Sequence, residues 1–540
     1  MNYVLKIKNL IFSQSMANMY ANLICVLIFA LVVYGSIWQG YYNIDPHHWG
    51  LMLSNAKDLY DGKLPYQYIF IQYGFLTTAI HALAYGWAGG NLISIITITA
   101  IAYAIGLLLI YRITVALTGN IKIALYTLIT CFLINPIAIY PWSNYIAFPF
   151  FVFGMLMLIK KPRSNSVLFL SGLSFGLAIL SREGLAPAII LILVFSTLLE
   201  IFKSNRNIKN HVSTIFSLAS GLLLPIVIFG LYLSYYELWP YWYKLSWLLP
   251  KIYITEVFPG VARLGGLGSL VDLLIHFFTR AISLDFRWMI LGVVIIVNLY
   301  IAALMITRRK PAYFTPEVAL IAIATLLLLS SSLHIPEVFR LATGSIIGVI
   351  TLYVVLAHFK LATQSFIYIL FTLGLTLTTL NSGNYFFPNN ASVKSAQHVK
   401  TPSFFNGQKW QDNVIQYYQQ IDLDLKRLAN SSCVITYHYN YTMDSFLQVL
   451  SPYLQYQIAP FNLSTSMSAL RPDLDFKKKI AAANDIIIFQ MITEGDFATY
   501  QPKEGFFVYK HYYVPSEYFI PPGNILVILV PSICKQSLAL

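Results

Sequence analysis

The stretch Asn18 to Gly50, NMYANLICVLIFALVVYGSIWQGYYNIDPHHWG, decides how the rest of the chain is read. From Met19 to Trp38 it carries no charge and is almost wholly apolar. About 20 such residues, rising 1.5 Å each as a helix, cross a hydrocarbon core of roughly 30 Å. Lys6 and Lys8 precede the run and no small-residue cleavage site follows it, so it reads as a retained first span, not a removed signal peptide. Immediately beyond come Asp45, His47, His48 and Trp49, titratable and aromatic groups at the membrane–water boundary.

The same apolar pattern recurs near 91–111, 122–140, 143–159, 165–181, 185–202, 213–236, 287–307, 317–334, 341–358 and 361–380, which with 18–39 predicts a polytopic α-helical membrane protein of about eleven spans. Composition agrees: 57% of the 540 residues are hydrophobic and 11% charged, where a soluble chain carries roughly 25% charged residues. The formal charge of +13 does not point to nucleic acid. Up to residue 380 there are 23 Lys/Arg against 11 Asp/Glu, and beyond it 12 against 11, so the excess lies in short loops between spans. That pattern belongs to membrane insertion.

The apolar run 74–88 is short for a crossing and contains His81. If it does not cross, or crosses only halfway, 14 cations gather on the side of the N-terminus against Glu200 and Glu317, and the opposite side holds nine cations and nine acids. A crossing there would invert every later cluster, against the positive-inside tendency. The expectation is a cytoplasmic N-terminus, long exoplasmic loops at 40–73 and 237–286, and an exoplasmic tail. The chain then divides into a membrane domain, 1–380, and a C-terminal α/β domain, 381–540, with strands around Cys433–Tyr437, Asp485–Gln490 and Ile525–Val530 and a helix over Lys409–Asn430. Cys25 and Cys131 fall in spans; Cys433 and Cys534 are either a disulfide, if the tail meets an oxidising space, or two buried thiols. No Cys/His cluster predicts a metal site.

Chemistry concentrates in the first long loop, Tyr41-Tyr42-Asn43-Ile44-Asp45-Pro46-His47-His48-Trp49-Gly50, followed by Asp58-Leu59-Tyr60-Asp61-Gly62-Lys63-Leu64-Pro65-Tyr66, and in Leu180-Ser181-Arg182-Glu183-Gly184. An acid a few residues past the first span can be partly desolvated and still reach a polar group on a lipid-held substrate. In these stretches, and in its overall plan of many spans with an acidic first loop and a tail on the same face, the chain resembles the GT-C family of integral membrane glycosyltransferases.

The resemblance implies transfer of a sugar from a polyprenyl-phosphate donor. Asp45 would be the general base for the acceptor hydroxyl, and Lys63 and Arg182, then Arg340 and Lys244, would neutralise the departing phosphate. His47, His48, Glu183, Glu337, Trp239 and Tyr241 are further substrate-contact candidates. Most have a plainer alternative: a helix cap or solvated loop acid for Asp45, headgroup-layer histidines for His47 and His48, an ion pair for Arg182 with Glu183, an aromatic belt for Trp239 and Tyr241, helix caps for Glu337 and Arg340. The strand-following Tyr437-His438-Tyr439-Asn440-Tyr441 is a candidate carbohydrate-contacting edge.

Many family members carry a second acid in the next loop on this face, but Tyr140-Pro141-Trp142-Ser143-Asn144-Tyr145 has none, which leaves dependence on a divalent metal open. No other cofactor is implied. The expected activity is inverting transfer of a hexose from undecaprenyl phosphate to a glycan or glycolipid such as O-antigen, at the outer face of a bacterial inner membrane. The rivals are an O-antigen polymerase or ligase and a lipid-linked oligosaccharide transporter.

Overall fold

The computed structural model describes residues 2–71, 74–161, 164–203, 208–248, 285–307, 310–329, 338–381, 390–431, 437–440, 444–450, 456–459, 486–516 and 523–536, with 271, 275, 277, 279, 433, 442 and 538. Helices occupy every described stretch that reads as a span. Among the described residues seven helices are long and apolar enough to cross a membrane: Asn18–Tyr42, Leu92–Thr118, Glu183–Ile201, Val212–Tyr235, Phe286–Ala303, Val338–Leu356 and Thr363–Asn381. Four more apolar helices, Ile121–Ile134, Ser143–Ile159, Asn165–Ser181 and Pro316–Leu329, have 14 to 17 residues. Large apolar side chains point away from the bundle, among them Phe216, Leu231, Phe366 and Leu380, each more than 60% exposed. A surface of this kind is lipid-facing. The chain is a multi-pass membrane protein.

The expected span at 122–140 stops at Ile134. Pro136 disfavours helix at Asn135, whose side-chain amide turns to the Ile137 carbonyl at 3.1 Å while its own carbonyl accepts the Tyr103 hydroxyl at 2.7 Å. The run at 74–88 forms a helix from Phe75 to Trp87, 13 residues and about 20 Å, shorter than the hydrocarbon core.

We label α1 (Asn2–Tyr42), α2 (His48–Tyr60), α3 (Phe75–Trp87), α4 (Leu92–Thr118), α5 (Ile121–Ile134), α6 (Ser143–Ile159), α7 (Asn165–Ser181), α8 (Ala186–Lys203), α9 (Ile208–Tyr235) and α10 (Trp239–Tyr243). Helix α2 lies within 40–73, where the sequence predicts a loop. All of Trp49 to Ala56 is buried, so α2 is wrapped by protein on every side except at its last turn, where Tyr60 is exposed. Without one polar face it has no amphipathic period to betray it.

Close backbone approaches hold the bundle. A Cβ on Gly172 would come 2.1 Å from the Leu218 carbonyl, and one on Gly221 would come 2.1 Å from that of Phe169. Helices α7 and α9 therefore cross at small residues, the usual way apolar helices associate where lipid offers no hydrophobic drive. At Gly74 (φ +100°) a Cβ would lie 2.5 Å from the Ser181 carbonyl, which also accepts the Thr77 hydroxyl at 2.8 Å. The start of α3 thereby fixes the end of α7, and with it Arg182.

The tail contains a two-stranded ribbon, β1 (Gln397–His398) with β2 (Lys409–Trp410), and a five-stranded mixed sheet of β3 (Tyr437–Asn440), β4 (Tyr456–Ala459), β5 (Ile486–Thr493), β6 (Phe506–Tyr513) and β7 (Asn524–Pro531) in the order β4-β3-β5-β7-β6. Strands β4, β3 and β5 run parallel; β7 is antiparallel to β5 and β6. Strands β4 and β6 are not foreshadowed in the sequence, which predicts a strand ending at Tyr437. Tyr437–Asn440 form β3 itself, paired on both sides, so they are not a free edge; Tyr441 lies outside the described residues.

The helix Asp412–Ala429 buries Val414, Ile415, Tyr418, Ile421, Leu425 and Leu428 at helical spacing, with Asp412 in its first turn and Lys426 and Arg427 in its last, matching the helix dipole. Asp424 accepts the Tyr512 hydroxyl at 2.8 Å, tying this helix to β6. Cys433 and Cys534 are joined in a disulfide. Cys25 and Cys131 are free.

Candidate functional site

Asp45 sits between the end of α1 and the start of α2 and is only 3% exposed. Its carboxylate accepts the His48 backbone N–H at 2.8 Å through Oδ1 and contacts His48 Nδ1 at 2.9 Å through Oδ2. Burial pushes the carboxyl upward, but the His48 hydrogen bonds and the charges of His48 and His47 outweigh it and hold Asp45 below its ordinary value. An ionised Asp45 makes Nδ1–H the donor and leaves Nε2 of a neutral ring as acceptor. Among the described residues no hydrogen bond to that nitrogen is formed. His47, pressed edge-on to His48 at 4.6 Å, is driven by burial and by the His48 charge down to about 4, against a smaller upward pull from Asp45.

The segment between α5 and α6 closes over this pair. The Ala138 N–H donates to Ser36 of α1 at 3.0 Å, and the Trp49 indole N–H to the Ile139 carbonyl at 3.3 Å. So anchored, the segment lays the rings of Tyr140 and Trp142 on the His48 imidazole, at 4.6 and 4.8 Å between centroids. Trp142 carries on its ring the Arg340 guanidinium, 4.7 Å from the centroid, and Phe339 packs 5.5 Å away. The helix Val338–Ser345 thus meets the Asp45 loop through Tyr140 and Trp142.

Next to these residues lies a small, half-open cleft lined by Asn144, Phe148, Phe151, Arg182, Leu185, Leu328, Thr343 and Gly344. Asn144 donates to the Thr343 hydroxyl at 3.0 Å, and its buried Oδ1 has no hydrogen-bond partner among the described residues. Four apolar walls and one guanidinium make a site suited to an anion carried on a lipid.

Glu183 does not face this cleft as a free acid. Its Oε1 accepts the Tyr66 hydroxyl and the Trp242 indole N–H, both at 3.0 Å, and so joins the first loop to the short α10. Burial and the facing Glu183 charge lift the Tyr66 phenol far above its ordinary range, so it stays a hydrogen-bond donor. Tyr66 adopts φ +65°, an uncommon conformation for a residue with a side chain.

Of the cations read from the sequence, Arg182 lines the cleft, and Arg340 lies one helical turn from Thr343. Lys63 is held in its own loop by Asp58 at 2.8 Å. Burial raises the Asp58 carboxyl, and Lys63 counters this only in part. Lys244 begins a π-turn over Lys244–Leu248, next to α10 with Trp239 and Tyr241. Trp239 is 44% exposed and bonded to Ser234, as in an aromatic belt. Glu337 lies outside the described residues. Tyr140, Trp142, Asn144 and Thr343 were not foreseen. The YPWSN string was read only for the acid it lacks, whereas its aromatic and amide content was the available signal. Among the described residues no group of three or more His, Cys, Asp or Glu could hold a metal.

No protein-family model matches the chain, and no curated protein does. Among solved structures it is similar to ArnT from Cupriavidus metallidurans bound to undecaprenyl phosphate, at 10% identity and a TM-score of 0.46 over 93% of this chain and 97% of that one. The apo state of the same protein gives 12% identity and a TM-score of 0.45 over 95% and 98%.

Proposed function

We propose that the chain is a membrane glycosyltransferase that moves a sugar from a polyprenyl-phosphate donor to an acceptor hydroxyl. The observation that carries this reading is the Arg182 cleft, apolar along its walls and cationic at one point, whose Asn144 and Thr343 lie close in sequence to Trp142 and Arg340, the ring and cation set beside His48. A lipid phosphate seated at Arg182, within reach of Asn144 and Thr343, would present the sugar toward His48.

The acceptor oxygen attacks the anomeric carbon as the bond from that carbon to the phosphate oxygen breaks. The acceptor proton passes to the Asp45–His48 pair, and the electron pair leaves on the lipid phosphate. Asp45 was read from the sequence as the base itself. Its burial and its bonds to His48 support a shared role, with His48 Nε2 taking the proton and Asp45 stabilising the imidazolium and its orientation. Arg182, with Arg340 behind it, offsets the charge on the departing phosphate. We take the sugar to be a hexose and the acceptor a glycan or glycolipid such as O-antigen, outside a bacterial inner membrane, following the resemblance in the first loop.

The test is transfer from a radiolabelled polyprenyl-phosphate sugar by purified protein in lipid. Asp45→Asn is expected to lower turnover by roughly 10²–10⁴-fold while the protein inserts and forms its disulfide. Wild-type turnover in that variant would remove the pair from the reaction.

A further inference from the structure

The tail touches the candidate catalytic loop on both sides of Asp45. Before it, Lys409 of β2 lies 5.4 Å from the ring centres of both Tyr41 and Tyr42 and 3.5 Å from the Tyr42 hydroxyl. After it, the Ser445 backbone N–H donates to the Pro46 carbonyl at 3.0 Å. A Cβ on Gly50 would stand 2.7 Å from the Phe446 nitrogen and 2.8 Å from the Ser445 carbonyl carbon, so α2 admits this strap only because residue 50 is glycine.

The two grips are one unit. Asp444, fully buried, accepts the Phe446 N–H at 2.9 Å and faces the Tyr418 hydroxyl at 3.4 Å. Phe405, Trp410, Tyr418 and Phe446 pack ring to ring, which links the strap to the residue next to Lys409. Main-chain atoms make one contact, and the half-buried Lys409 cation set between two half-buried rings makes the other.

We propose that the C-terminal region is a positioning element of the Asp45–His48 pair, with Lys409 and the Ser445–Phe446 strap clamping the chain from Tyr41 to Gly50. The proposal rests on the reading of that pair as the base. By fixing both ends of the Asp45 turn, the tail sets where His48 stands against Trp142 and the Arg182 cleft. Ser445 and Lys409 touch no substrate; they act through Asp45 and His48.

Full-length Gly50→Ala, Lys409→Met and Lys409→Arg proteins test it in lipid by two independent measurements. Hydrogen exchange over residues 46–56 reports the clamp without any substrate, and the split between kcat and donor KM reports its use. The expected result for Gly50→Ala and Lys409→Met is faster exchange over that segment and kcat lowered at least about tenfold. Donor KM should stay within about twofold and the Cys433–Cys534 disulfide should stay intact, with Lys409→Arg restoring both readouts. Unchanged exchange in both disrupting variants overturns the clamp whatever the activity. Faster exchange with wild-type kcat overturns the positioning role and leaves the reading of the pair standing. A wild-type protein that transfers no sugar overturns the transferase reading and the positioning role together, while exchange still decides whether the contact exists.

Discussion

Asp45 gives both carboxylate oxygens to a single residue, the backbone N–H and the ring nitrogen Nδ1 of His48. A loop acid that only capped α2 would need the first of these contacts. The second fixes the tautomer and tilt of a ring stacked on Tyr140 and Trp142.

Two groups working as one unit are not additive. His48→Gln is expected to cost about as much turnover as Asp45→Asn, and the double variant little more than either single one, within roughly threefold. Steady-state rates for the three proteins decide this. Independent losses that multiply would separate the two residues.

Arg182 lies at the end of α7, held there by the Gly74 and Thr77 contacts with Ser181. Arg182→Ala should weaken donor binding by about 10–100-fold, the worth of a charge-assisted contact of ~1.5–3 kcal/mol. Melting temperature should hardly move. Equilibrium binding of a polyprenyl phosphate is the direct measurement, and unchanged affinity would place the phosphate elsewhere.

Glu183 serves two donors from separate loops. Glu183→Ala leaves the Tyr66 hydroxyl and the Trp242 indole without their acceptor, at a cost of about 2–4 kcal/mol, and is expected to raise protease cutting in the second loop. Glu183→Gln keeps an acceptor oxygen and should behave nearly as wild type. A large loss of turnover with unchanged stability in Glu183→Gln would instead give the carboxylate a part in the reaction.

His47 is held neutral in the folded chain down to about pH 4, against an ordinary value of 6.5. Between those values the unfolded chain binds the extra proton, so stability declines as pH falls through that window and levels off below it, by on the order of 2 kcal/mol. Asp45, lowered from its ordinary 3.8, contributes stability that is lost only as pH falls below about that value. Melting curves of detergent-solubilised protein should therefore slope from pH 6.5 to 4 in wild type and slope less there in His47→Asn, the buried His81 contributing in the same direction in both proteins.

Much of the candidate site is local in the chain. Asp45, His47, His48, Arg182 and Glu183 stand directly after apolar runs, and the end of a span is where polar groups meet water. What pairs with what was not legible. From the sequence His48 reads as a headgroup histidine, and Arg182–Glu183 equally as an ion pair or a phosphate site; in the structure Glu183 accepts from Tyr66, 117 residues away, and from Trp242.

By itself the sequence determined that the chain is a multi-pass helical membrane protein with a mixed α/β tail, and roughly where each long apolar helix lies. Backbone polar groups in lipid can be satisfied only within a helix or closed barrel, which makes apolar length a sufficient signal. The tertiary structure decided the rest: the buried α2, the Trp142 bridge from His48 to Arg340, and the strap from the tail onto Gly50. Those contacts join segments up to about 400 residues apart, as Ser445 to Pro46 does. They follow from packing shape and hydrogen-bond geometry, which have no period along the chain.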